Sequence, residues 1–285
     1  MSSHETREIP SSASMVRSDY IGGKWTATRP FVSLINEAAS QAGVSVRWLS
    51  DDWIACLKKQ HEVRYIHGSN FPLNNASAAH IATDKVSTFT LLADAGVAAV
   101  PHHLVRVPAS GEIAGATDGV FALVRPPLVV KPATEAGGLD VYRAESAEEA
   151  RALIGRLAIR YTALAVCPFE VISTEHRVVM LDNEPWLFFR KELSDRSGWR
   201  HNLKHGAVAV VEESAEARAE LTAIARRAMH AIGGRFMTVD VIGTPAGLKV
   251  LEVNGGVALD RFAAQSQAHR ARAVDIYREA ISRCF

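Results

Sequence analysis

Apolar residues first recur at helical spacing in Phe31, Leu34, Ile35, Ala38, Ala39 and Ala42, and Gly43 supplies a stop. Residues 44–49 then read as a strand. Ser50-Asp51-Asp52 reads as the cap of a short helix over 53–59, and 63–66 as another strand. A helix opening at Thr83-Asp84 is expected to carry Val86, Phe89 and Ala93 on one face and to end at Gly96. Residues 97–100 are extended, and Pro101 keeps the helix from resuming. Gly111, Gly115 and Gly119 punctuate what reads as a loop-rich passage. Leu128-Val129-Val130 is a short buried strand. Ser146 with Glu149 forms a capping box for a helix through Arg160, with Leu153, Ile154 and Leu157 on its core face. Residues 164–167 are apolar and extended.

From Arg177 onward the pattern turns strand-rich. Residues 177–181 and 186–190 flank the turn Asp182-Asn183-Glu184-Pro185 as a hairpin, and 206–211 is a further strand. Leu221, Ile224, Ala225, Ala228, Met229 and Ile232 share one face of a helix that Gly233-Gly234 ends. A second hairpin joins 235–242 to 248–254 through Thr244-Pro245-Ala246-Gly247, and a last helix spans roughly 268–284. The alternation of helices with short strands predicts an α/β (α+β) chain built around separate sheets. The first 18 residues, rich in Ser and charge and without periodicity, read as a mobile tail.

Composition narrows the function. Lys plus Arg is 32 and Asp plus Glu is 31, so the net charge of +1 gives no general grip on nucleic acid or anionic lipid. Neither a nucleic-acid partner nor a membrane is expected. The three cysteines, Cys56, Cys167 and Cys284, lie far apart without a CxxC pair, which points to a reducing cytoplasm.

Three groups of residues carry chemistry. On the second hairpin, alternation puts Phe236, Thr238, Asp240 and Ile242 on one face, and Leu248, Val250, Glu252 and Asn254 on one face of the return strand. With Pro245-Ala246 at the turn centre, Asp240 lies almost opposite Glu252, with Asn254 diagonally adjacent. Carboxylates facing one another among apolar residues call for a cation, and oxygen ligands suit Mg²⁺ or Mn²⁺. On spacing alone a solvated hairpin face remains the alternative. The second group is Lys131, delivered by a buried strand and followed by Gly137-Gly138, whose backbone N–H groups can wrap phosphate oxygens. It lacks the GxxxxGK[ST] order of a Walker loop. The third group, Arg177, Arg190, Lys191, Arg200 and Lys204 with Asn202, is rich in donors for an anion. His102-His103 and His201 with His205 raise a zinc reading, weakened by the absence of nearby Cys.

Taken in order, these motifs resemble the ATP-grasp superfamily, and within it the ribosomal-S6-modification type of glutamate ligase. The resemblance runs from about His80 to Asp260. It is carried by Thr83-Asp84-Lys85, Ala95-Gly96-Val97 with Pro101, Val129-Val130-Lys131-Pro132 with the glycine loop, Glu175-His176-Arg177, Arg200-His201-Asn202-Leu203 with Gly206, Asp240, and Leu251-Glu252-Val253-Asn254.

The resemblance implies an ATP-grasp fold, with nucleotide held between two α+β subdomains. It divides the chain into a tail (1–18), a short N-terminal α/β domain (19–80), a lid subdomain with its linking helix (81–168) and a C-terminal catalytic subdomain (169–285). It further implies that Lys85 and Lys131 contact ATP phosphates beneath a lid loop containing Thr134, Gly137 and Gly138. Adenine would lie at a hinge that includes Phe169, Glu170 and Val171, and Glu175 would bind the ribose. Asp240, Glu252 and Asn254 match Mg²⁺ (or Mn²⁺) ligands. Arg177, Arg200 and Asn202 match groups that hold the γ-phosphate and the acceptor carboxylate, so Arg177, Arg200 and Lys131 would carry catalysis. The implied activity is ATP-dependent joining of two small-molecule amino acids, glutamate being the activated one, in a homo-oligomer expected to be a dimer. A cyclo-ligase, a peptide-modifying ligase and a catalytically silent nucleotide-binding regulator are the alternatives. Two departures stand out: Pro168 brings no N–H to the hinge, and Gly255-Gly256-Val257 follows Asn254 where Ser-Pro-Gly is more usual.

Overall fold

The computed structural model describes residues 29–108, 113–193, 203 and 206–285. Helix α1 (Pro30–Gln41) precedes strands β1 (Ser45–Leu49), β2 (Ile54–Lys59) and β3 (Glu62–His67). Helices α2 (Ala76–Thr83) and α3 (Lys85–Asp94) lead to β4 (His103–Arg106), α4 (Ile113–Leu123), β5 (Leu128–Pro132), β6 (Tyr142–Ala144), α5 (Ala147–Ala158) and β7 (Ala163–Pro168). The chain continues with β8 (Thr174–Leu181), β9 (Glu184–Glu192), β10 (Val208–Val211), α6 (Ala215–Ile232), β11 (Phe236–Thr244), β12 (Gly247–Asn254), α7 (Asp260–Ala263) and α8 (Gln267–Ser282).

Three antiparallel sheets result, in the orders β1-β2-β3, β4-β7-β5-β6 and β10-β9-β8-β11-β12. Helices α4 and α5 cover one face of the four-stranded sheet through Val120, Ile154 and Leu157 against Leu128, Val130, Leu164 and Val166. Helix α6 covers one face of the five-stranded sheet through Leu221, Ala225 and Met229 against Val178, Val239 and Val241. The N-terminal sheet and α1 share a core with α8, where Phe31, Phe71 and Tyr277 meet Phe236. That core also covers part of the second face of the five-stranded sheet through Val179, Leu181, Phe189 and Phe236, and the rest of that face meets the second face of the four-stranded sheet at a small apolar cluster of Val100, Val129, Cys167 and Ile242. Among the described residues no helix is long and apolar enough to cross a membrane.

Local chemistry sets most element ends. Asp84 caps α3 by accepting from the N–H groups of Val86 and Ser87, and Ser146 caps α5 by accepting from Glu149. Glu149 reaches back to the N–H of Glu145, completing a capping box displaced by one residue. Gly233 ends α6 in the left-handed region at φ 73°, and Asp182-Asn183 turn the first hairpin with φ 49° and 67°.

Four expectations are corrected. Residues 53–59 do not form a helix. Ser50, Asp51 and Asp52 all take left-handed φ values (51°, 55° and 64°), which reverse the chain, and β2 then pairs with β1 on one side and β3 on the other. A helix N-cap needs extended backbone, which three left-handed residues do not provide.

The passage expected to be loop around Gly115 and Gly119 is helix α4. Both glycines sit where an added Cβ would meet nothing within 4 Å, so they lie on its open side while Val120 packs inward. Packing overrides their poor propensity.

On α3 the buried residues are Thr88 and Leu92, while Val86 and Phe89 are half-buried and Ala93 is exposed. The Thr88 hydroxyl donates to the Ile81 carbonyl of α2, which sets the helix rotation. Helix α2 itself, capped by Asn75, carries no strong periodic signal in sequence.

Finally, Leu248 and Val250 do not share a face with Glu252 and Asn254. A bulge between the pairs Asp240↔Glu252 and Val241↔Val250 makes Leu251 an extra residue and switches the alternation. Leu248 and Val250 therefore pack toward α6, and Leu251 joins the apolar cluster between the sheets.

Candidate functional site

The facing parts of the two sheets bring Asp240, Glu252, Asn254, Arg177, Glu175, Lys131 and Lys85 around one cleft. Strand register pairs Asp240 with Glu252 and Thr238 with Asn254, and on the other side Asp240 with Arg177. The turn at Pro245-Ala246 and the bulge at Leu251 together produce this opposition. Asp240 is only 1% exposed. Arg177 grips it with a two-pronged fork, Nε to Oδ1 and Nη2 to Oδ2, both at 2.6 Å.

Lys191 completes the arrangement from β9. Its ammonium donates to Asp240 Oδ2 at 2.8 Å and to Glu175 Oε1 at 2.5 Å. Burial works to lower the Arg177 and Lys191 pKa values, yet the adjacent carboxylates raise both above their ordinary values. Burial likewise works to raise Asp240, but Arg177 and then Lys191 hold it below the usual carboxylate range.

Lys191 belonged to the basic group seen in sequence but to none of the nominated site residues. Its signal lies in hairpin register: β8 and β9 pair Arg177 with Phe189 and His176 with Arg190, which brings Lys191 beside Glu175. Glu175, assigned to a ribose by resemblance, is thus held by an ammonium within the charged cluster.

Glu252 lies next to Asn254, whose Nδ2 donates to Oε1 at 3.2 Å. Among the described residues no group of three His, Cys, Asp or Glu side chains is placed to hold a metal. The donor set still fits a hard divalent cation that keeps waters and phosphate oxygens. Glu252 and Asn254 offer adjacent side-chain oxygens, and Asp240 Oδ1 retains one lone pair beyond its bond to Arg177.

Across the cleft, Lys131 is 7% exposed on β5. Lys85, at the start of α3, donates through Nζ to the carbonyls of Ala133 (3.4 Å) and Glu135 (2.5 Å), and its backbone N–H also donates to Ala133. Burial lowers the Lys85 pKa to about 8; the nearby Glu252 opposes that shift and Lys131 adds to it.

Lys85 thereby tethers the start of the loop that contains Thr134, Gly137 and Gly138. Both glycines are left-handed, at φ 71° and 73°, a backbone that favours glycine twice in succession. Asp140 anchors the loop's far end. It accepts from Tyr142 at 3.0 Å, Tyr161 at 2.6 Å and Arg160 at 2.7 Å. These bonds outweigh burial and lower its pKa.

The hinge differs from a simple backbone cradle. Pro168 has no N–H, and the N–H of Phe169 donates to Pro127 at 2.9 Å. Arg143 stacks over the Phe169 ring at 4.0 Å. Glu170 is tied to Lys249 at 2.6 Å, and Val171 is exposed. The hinge therefore presents side chains and carbonyls more than free donors at these two positions.

The Gly255-Gly256 departure has a packing reason. A Cβ on Gly255 would lie 3.1 Å from the Ala79 carbonyl, and one on Gly256 would lie 2.5 Å from the Ser69 hydroxyl. The chain leaving Asn254 passes tightly against α2 and the loop after β3.

Of the nominated histidines, His102 is buried beside β5 and β7, whereas His201 and His205 lie outside the described residues. Arg200, Asn202 and Lys204 also lie outside them. Burial pushes the Cys167 thiol above its ordinary pKa.

Comparison with known proteins shows the family and the fold. The family model described as RimK-like ATP-grasp domain matches residues 82–275. Two solved structures of D-alanine–D-alanine ligase from Bacillus anthracis are similar in fold, each 16% identical to this chain. One covers 74% of this chain and 70% of its own with a TM-score of 0.56; the other, complexed with ATP, covers 74% and 69% with a TM-score of 0.57. No curated protein matches the chain in sequence.

Proposed function

Because the chain belongs to the RimK-like ATP-grasp family, a family of ATP-dependent carboxylate–amine ligases, we propose that it joins two amino acids at the expense of ATP, with glutamate as the activated carboxylate. The observation that carries this reading is the opposition of two charged walls. Asp240, Glu252 and Asn254 line one sheet, buried Lys131 and half-buried Lys85 lie on the other side, and the apolar cluster of Val100, Val129, Cys167 and Ile242 lies between. A triphosphate fits between ammonium groups and a metal-binding wall, with its base against the apolar cluster.

In the proposed reaction a carboxylate oxygen attacks the γ-phosphorus, the β–γ bridging bond breaks, and ADP leaves. The acyl phosphate is then attacked by an amine. Phosphate departs, the amine proton passes to a phosphate oxygen or to solvent, and an amide remains. Glu252 and Asn254, with Asp240 behind them, would hold Mg²⁺, which supplies charge neutralisation of the phosphate oxygens. Lys131 and Lys85 place positive charge on the opposite side of the transferred group, so catalysis is chiefly positioning and electrostatic stabilisation. Arg177 is positioned by Asp240 and faces the same region. Closure of the 133–140 loop would keep water from the acyl phosphate.

The test is ADP and phosphate release with Mg²⁺-ATP against amino acids supplied singly and in pairs. Release that requires two amino acids, one of them glutamate, is expected. Release with other pairs but never with glutamate overturns the substrate assignment. Nucleotide binding without release under any pair overturns the ligase reading in favour of a regulator.

A further inference from the structure

His102 immediately precedes β4 and is 3% exposed. Its Nδ1 lies 2.8 Å from the Val100 carbonyl, which can only accept, so Nδ1 carries the proton and Nε2 is an acceptor. Nε2 is buried and makes no hydrogen bond among the described residues. A buried acceptor without a donor leaves its desolvation uncompensated.

Sheet register locates that nitrogen. His103 pairs with Val166, and Val166 with Val130; these residues alternate toward α4 and α5. One position along each strand, His102, Cys167 and Val129 form a row on the opposite face, toward the cleft. Lys131 follows Val129 by two residues on the same strand and face. Its ammonium makes no hydrogen bond among the described residues, and its charge is the strongest that His102 feels. The imidazole therefore stays neutral next to a lysine.

We propose that His102 is a positioning residue for the nucleotide site: its Nε2 accepts a hydrogen bond from the Lys131 ammonium when nucleotide draws that side chain into place. This holds one N–H inward and aims the other two at phosphate oxygens. No proton is transferred; Lys131 stays an ammonium and His102 a neutral imidazole. The inference rests on the reading that this cleft binds ATP.

The test is a double-mutant cycle on binding, read by calorimetry with Mg²⁺ and an ATP analogue that has a non-hydrolysable β–γ bridge. His102→Leu is expected to weaken binding by roughly tenfold, and His102→Gln, whose Oε1 can accept, by less than about threefold. In a Lys131→Met background the His102→Leu change is expected to cost nothing further. His102→Met is run alongside, so that a folding failure of one variant does not decide the outcome. Losses that simply add, or a Gln variant as weak as Leu, overturn the positioning role. Equal affinity of His102→Leu for the ATP and ITP analogues, where wild type discriminates, overturns it too and assigns Nε2 to the base. Failure of the wild type to bind any nucleotide overturns the functional reading itself, a result distinct from additive losses in a protein that binds.

Discussion

Lys191→Met tests the charged cluster most directly. Four side chains, Arg177, Lys191, Asp240 and Glu175, carry two positive and two negative charges in a buried space, with contacts of 2.5 to 2.8 Å. Methionine keeps the length and apolar stem of lysine, so little cavity is created. What changes is charge: the cluster goes from neutral to one net negative, and Glu175 and Asp240 both lose the ammonium. Removing one partner of a buried ion pair destabilises by about 3–5 kcal/mol, roughly two to four powers of ten in the folding constant. Adding Glu175→Gln to Lys191→Met restores neutrality and is expected to recover about 2 kcal/mol or more of that loss. Urea unfolding followed by circular dichroism reads both effects as shifts of the midpoint at constant slope. A Lys191→Met protein within about 0.5 kcal/mol of wild type would refute the reasoning, since that is the range of surface substitutions. So would a double variant no more stable than the single one.

Four further outcomes are expected. Lys131→Ala and Glu252→Ala should each lower amide formation by about a hundredfold or more, the scale of losing one charge-stabilising group, with an unchanged circular dichroism spectrum; near-normal turnover in either would remove its role. Lys85 has a folded pKa of about 8 against its ordinary 10.5, so the unfolded chain binds more protons between those values and stability of the nucleotide-free protein rises with pH across that window. A triphosphate pulls that pKa back up, so binding should take up protons near pH 8 and weaken above it; calorimetry giving equal heats in buffers of different ionisation enthalpy would contradict this. Asp240 is held below its ordinary pKa, so its stabilising contribution is complete above about pH 4 and is lost only as pH falls through the depressed value. An Asp240→Asn protein should therefore show a flatter acid limb in urea midpoints below pH 4. Gly138→Ala, at φ 73°, should cost about 1–2 kcal/mol of loop stability and speed proteolytic cutting within 133–140; unchanged cutting would show that the loop conformation does not need glycine there.

Much of the candidate site's geometry was legible in the sequence because it depends on short-range relations. The turn Thr244-Pro245-Ala246-Gly247 sets the hairpin register, which brings Asp240 within one residue of Glu252, and the bulge at Leu251 completes the pairing. The strand that buries Lys131 reads directly from Leu128-Val129-Val130, and the left-handed Gly137-Gly138 pair marks the loop after it. What failed locally failed for identifiable reasons. Ile54-Ala55-Cys56-Leu57 is an apolar run that suits either a helix or a strand, and pairing with β1 and β3 decided it. In α4, Gly115 and Gly119 lower propensity without preventing the helix, because Val120 and Val124 find a core to enter.

The sequence by itself determined the caps, the turns and the near opposition of acidic groups on one hairpin, since each depends on residues a few positions apart. Tertiary structure alone decided which charges meet. Lys191 reaches Glu175 and Asp240 only because β9 pairs with β8 and β8 with β11, a relation that spans 49 positions between Lys191 and Asp240. His102 reaches the cleft only through the order β4-β7-β5. A bulge of one residue at Leu251 separates the α6-facing side chains from those facing the cleft, and strand alternation read from sequence cannot contain it. Electrostatic partners in a buried site are chosen by strand order and register, which are long-range properties of the packed chain.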